Sequence, residues 1–113
     1  MGVEPGARAL AAARALEPFV ASLRGRIEAE RALPVELADA LAGAGLFRMW
    51  LPRALGGDEL PPRAFLAVID ELARQEPSVG WCAVIPAGYA RLAGAMEPDA
   101  AARVFGSGRG ILV

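Results

Sequence analysis

Apolar positions recur along most of this chain at steps of three and four, the period of a helix that buries one face. In residues 7–32 the positions are Leu10, Ala13, Leu16, Val20, Leu23 and Ile27, which form one stripe. Pro18 lies inside that pattern, where it removes a backbone donor and should kink the helix or divide it in two. Arg24 with Glu28, and Arg26 with Glu30, stand at i,i+4 on the polar side in the less favourable order. A second helix is predicted over 34–44, with Pro34 at its first position and Leu37, Ala38, Leu41 and Ala44 on its apolar face. Gly45 should stop it in a left-handed conformation, letting Leu46 and Phe47 fold back on the last turn.

Residues 45–60 read as a loop region. Arg48 to Pro52 is expected to be extended and packed through Met49, Trp50 and Leu51, and Gly56-Gly57-Asp58 to form a turn. The cleanest helical pattern is 61–75, with Phe65, Val68, Ile69 and Leu72 on one face and Arg63, Asp70, Glu71 and Arg74 largely elsewhere. Ser78 is a suitable N-cap for a helix over 78–94 that is apolar nearly all round and carries Pro86 inside it, the character of a buried or interface-lining helix. A short helix is expected at 98–105 after Glu97-Pro98-Asp99, followed by a linker and the start of a β-strand at 106–113. A strand with no partner in this chain implies that another domain follows it. The expectation is a single all-α domain: an irregular orthogonal bundle of about five or six helices with a short C-terminal extended segment.

Composition sharpens this reading. The 113 residues suit one domain, and the 55% hydrophobic fraction is weighted towards Ala, so the core should be modest. All twelve basic residues are Arg, interleaved with thirteen acids for a net charge of -1. That pattern has no basic stripe and argues against nucleic acid, a helix-turn-helix on residues 34–50 included, and against an anionic membrane surface. There is no His, which removes imidazole ligands and His general bases. The single Cys, Cys82, cannot form a disulfide within the chain, and no signal-type or bilayer-length apolar run is present, so a soluble cytoplasmic setting is expected.

Chemistry-bearing patterns are few. Trp81, Ile85 and Tyr89 are spaced i, i+4, i+8 and so face one way. They read either as the wall of a ligand cavity or as packing, the commoner fate of such stripes. Gly56 and Gly57 could admit close approach of a ligand or simply make a tight turn. Gly106-Ser107-Gly108-Arg109-Gly110 has the composition of a phosphate loop but the wrong order, following a helix rather than a strand, so a flexible linker is expected. Cys82 falls in the first turn of its helix, where a thiolate is favoured, yet its apolar neighbours point to an inert thiol. Asp70 and Glu71 point about 100° apart on a helix and cannot share a substrate. Glu36 and Asp39 form a similar surface pair, and no convergent metal ligands are found.

One ordered set of segments carries more weight than any single motif: Gly45-Leu46-Phe47, Leu51-Pro52, Gly56-Gly57, Asp70-Glu71-Leu72-Ala73-Arg74 and Ser78, over essentially residues 8–113. In that order they resemble the N-terminal helical domain of the acyl-CoA dehydrogenase superfamily of flavoenzymes. The Pro77-Ser78-x-x-Trp81 helix start, with Tyr89 eight residues on, is similar to the superfamily's flavin-dependent monooxygenase branch, in which this helix lines the flavin and substrate pocket. That branch often has a His near the position of Tyr89, so the Tyr places His-assisted hydroxylation in doubt.

The resemblance implies an FAD cofactor, with FMN as the alternative, held largely by domains beyond these residues. It implies an acyl thioester or an aromatic substrate in the complete enzyme, and a homo-oligomer or a complementary subunit. The leading expectation is a component of an acyl-CoA dehydrogenase-like oxidoreductase performing α,β-dehydrogenation; the alternative is a monooxygenase. A different class, a non-catalytic helical interaction module using the 79–93 helix, stays open, and no catalytic residue is identified in this chain.

Overall fold

The structure is a computed structural model that describes residues 4–105. Six α-helices, and no strand among the described residues, make the chain all-α. They are α1 (Pro5–Ala15), α2 (Glu17–Glu30), α3 (Val35–Gly43), α4 (Pro62–Gln75), α5 (Pro77–Arg91) and α6 (Pro98–Phe105), with 3-10 turns at Arg53–Leu55 and Leu92–Ala95. The extents of 42 × 33 × 20 Å make the molecule two helix diameters thick in its short direction. The expected linker and strand at 106–113 lie outside the described residues.

The long N-terminal pattern is two helices. Pro18 falls in the first turn of α2, where a proline is tolerated, and Leu16 serves both as the C-cap of α1 and as the N-cap of α2. The apolar stripe is continuous across the break: Ala13, Val20, Leu23 and Ile27 are buried, and Leu10 and Leu16 pack against them. The end of α3 follows the expected chemistry. Gly45 sits at φ 79°, the Leu46 amide donates to the Leu41 carbonyl, and the Gly45 amide donates to the Ala42 carbonyl. These are the two bonds of a Schellman stop, and they deliver Leu46 and Phe47 into the core.

Several local expectations are corrected. Pro34 is the N-cap of α3 and not its first helical residue. Ser78 is not the N-cap of α5; that place belongs to Glu76, extended at φ -161°, whose carboxylate accepts from the Ser78 amide. With Pro77 at the first helical position, the cap must lie one residue further back than a Ser-based reading places it. Arg48–Pro52 is a run of turns, because its carbonyls are taken by the returning loop. Asp58 N–H donates to the Arg48 carbonyl, Glu59 to Leu51, and Leu60 to Met49. Arg26 reaches Glu30 at 3.6 Å but makes its closer pair with Glu36 at 3.0 Å, and Arg24 reaches across the fold to Glu76.

The centre of the bundle is α4, which packs against α1, α2 and α5. Phe65, Val68 and Leu72 are its buried face, as the periodicity requires. Two close approaches set the helix spacing. A Cβ on Gly6 would lie 2.9 Å from the Ala64 Cβ, and one on Gly80 would lie 2.8 Å from the Ala73 Cβ. Nothing larger than hydrogen fits at either crossing. A smaller second core gathers Leu51, Ala90, Ala93, Ala101 and Phe105 where α6 closes on the end of α5.

Candidate functional site

Helix α5 buries only part of its apolar surface. Val79, Gly80, Ala83, Pro86, Ala87 and Ala90 face the bundle, mostly small residues that allow close packing. The large side chains face outward: Trp81 is 67% exposed, Ile85 41% and Tyr89 54%. The stripe is therefore not part of this chain's own core; it is a solvent-facing apolar surface of the kind that suits a ligand wall or an interface with a partner. Leu92, also exposed, continues it by one further turn.

Two adjoining grooves open along this wall. The larger, about 740 Å³, runs between the end of α2 and the start of α5, with Arg24, Ile27, Arg31, Leu33, Glu76 and Trp81 among its lining residues. The smaller, about 320 Å³, is lined by Leu33, Ala38, Phe47, Trp81, Cys82, Ile85 and Pro86. Leu33, Trp81 and Cys82 belong to both, so the two form one depression with a polar end and an apolar end. Tyr89 lies one turn beyond Ile85 on the same face and lines neither groove.

The helix stays continuous through Pro86, which has no N–H to offer the carbonyl of Cys82. Burial pushes the Cys82 thiol up from its ordinary range, which keeps it protonated and matches the inert reading. Arg31 closes α2 in a left-handed conformation at φ 54° and turns the chain towards Leu33 at the groove.

The Gly-Gly turn stands apart from this wall. Gly56 takes a left-handed φ of 88°, and a Cβ on Gly57 would run into the backbone carbonyl of Leu51. The pair is accounted for by the turn itself, and neither glycine lines either groove. Asp70 is exposed, while Glu71 is engaged by Arg74 and Gln75. Glu71 pairs with Arg74 at 2.7 Å, which holds its carboxyl down at about 2 and raises Arg74. Among the described residues no group of His, Cys, Asp or Glu could hold a metal ion, and no helix is long and apolar enough to cross a membrane.

Sequence reasoning missed the groove's far side, Leu33, Ala38 and Phe47, because a shared depression depends on how three segments meet. It also missed Gln75, buried at 3% exposure. The signal was present, since Gln75 is in phase with Phe65, Val68 and Leu72 on the inner face of α4.

The chain is 28% identical to indole-3-acetate monooxygenase of Pseudomonas putida over 106 residues, covering 89% of this chain and 27% of that relative. It is 30% identical over 59 residues to indole-3-acetate monooxygenase of Acinetobacter baumannii, covering 52% of this chain and 15% of the relative. The chain thus spans about a quarter of the first relative's length. No solved structure matches it. The family described as acyl-CoA dehydrogenase, N-terminal domain, matches residues 6–94, and the chain belongs to that family.

Proposed function

We propose that this chain supplies the helical wall of a flavin-dependent monooxygenase that acts on a flat aromatic substrate. The observation that carries the reading is the solvent-facing stripe of Trp81, Ile85 and Tyr89 beside the shared depression. Large apolar side chains held outward on a rigid helix suit a planar ring, which they can stack against and shield from water. The names of both relatives favour oxygen insertion over α,β-dehydrogenation and an aryl acid over an acyl thioester.

The residues present fit one side of a flavin or substrate site. Trp81 and Ile85 offer a face to a ring, and Arg31 lies at the polar end of the depression, where it suits a carboxylate. The flavin, FAD in the first instance and FMN as the alternative, supplies the redox chemistry when bound. This chain's part is to orient the ring and exclude water; no proton transfer is assigned to it.

The test is a titration of the purified chain with FAD, FMN and indole-3-acetate, followed by tryptophan emission beside a sizing run. Saturable quenching that disappears in Trp81→Ala supports the wall. Quenching that persists in Trp81→Ala removes it. The sizing run separates a self-associating chain, in which the same face meets a second copy, from one that presents the face to a ligand.

A further inference from the structure

Arg24 projects from the middle of α2 to the junction between α4 and α5. Its Nη2 donates to the main-chain carbonyl of Gln75 at 2.8 Å, the last residue of α4, and its Nε lies 3.6 Å from the Glu76 carboxylate. Glu76 is the N-cap of α5, and its side chain accepts from the Ser78 amide while its carbonyl accepts from Val79 and Gly80. The Glu76 side chain is only 18% exposed, so this is a half-sheltered clasp and not a freely solvated ion pair. Gln75 is tied on its other side as well, its Nε2 donating to the Ala13 carbonyl at 2.8 Å and to Glu71 at 2.8 Å. One extended residue, Glu76, separates α4 from α5, so a small rotation at this elbow moves the whole of α5. Arg24, Glu76, Ser78 and Trp81 all line the larger groove.

We propose that Arg24 is the positioning residue of the groove: by binding the last carbonyl of α4 and the capping carboxylate of α5 together, it fixes the elbow that places Trp81 in the groove lining it shares with Leu33. The importance of that placement for ligand binding rests on the wall reading above; the clasp itself does not. Lys cannot reproduce it fully, because a single ammonium lacks the fork that reaches both oxygens.

The test is amide hydrogen exchange on the 113-residue chain and its Arg24→Met and Arg24→Lys variants, with Trp81 emission read in a Trp50→Phe background. In Arg24→Met, exchange at Ser78, Val79 and Gly80 should speed up by about tenfold while Val68 and Leu72 in α4 keep their protection. Trp81 emission should move to longer wavelength, and Arg24→Lys should fall between. Exchange that rises uniformly along the chain, or does not change at Ser78–Gly80, overturns the proposal, as does a Trp81 spectrum blind to Arg24. Because neither readout uses a ligand, failure of the clasp is distinguishable from failure of the wall. If Arg24→Met does not fold, the Arg24→Lys comparison carries the same two readouts.

Discussion

The side chain of Gln75 donates to the carbonyl of Ala13 at 2.8 Å, joining the end of α4 to the last turn of α1. This is a polar tie inside an apolar core, placed just before the break that Pro18 imposes between α1 and α2. Gln75→Ala removes that bond and the one to Glu71, and should cost about 1–3 kcal/mol in denaturant unfolding. Gln75→Glu should cost more at neutral pH, because it sets a second carboxylate against Glu71, and the deficit should shrink on acidification.

Two glycines in helices predict opposite signs. Gly80→Ala should destabilise by about 1–3 kcal/mol, because its Cβ would lie 2.8 Å from that of Ala73 at the crossing of α4 and α5. Gly25→Ala, with nothing within 4 Å of its Cβ position in α2, should stabilise by about 0.5–1 kcal/mol. Thermal unfolding of the two variants checks both.

Acid should loosen the fold partly through Glu71. Hydrogen bonds from Arg74 and then Gln75 hold its carboxyl at about 2, below the ordinary 4.5. A depressed pKa stabilises above the unfolded value and the contribution is lost as pH falls from 4.5 through 2. Denaturant midpoints measured across that window should fall with pH, and Glu71→Gln should flatten the decline. The effect should weaken in high salt, since Arg74 is half exposed.

Trp81→Ala should change stability by no more than about 0.5 kcal/mol, because the residue is 67% exposed and its loss opens no core cavity. A loss of several kcal/mol, measured by urea unfolding, would show that the ring is packed in solution.

Much of the fold was legible in the sequence, and the reasons are local. The stripe of Phe65, Val68 and Leu72, the Gly45 stop and the Pro18 division each follow from one residue's conformational limits or from a single period. What failed was decided by residues outside the pattern being read, one an immediate neighbour and the others in a returning loop. Ser78 reads as a cap until Pro77 hands that role to Glu76, and Arg48–Pro52 reads as extended until the returning loop takes its carbonyls. Trp81 shows the limit most clearly. Its spacing with Ile85 and Tyr89 gave the common face, but only the packed bundle shows that small residues turn inward and the large ones outward. The ordered set of motifs gave the family, which the match over residues 6–94 establishes, while the depression around Leu33 needed three segments to be seen together.

The most direct test of the α5 wall is the emission of Trp81, recorded in a Trp50→Phe background while FAD, FMN and indole-3-acetate are added in turn. The account predicts saturable quenching by a flavin or by the aryl acid, weakened in Ile85→Ala. A folded chain whose Trp81 emission ignores all three at millimolar concentration would contradict it.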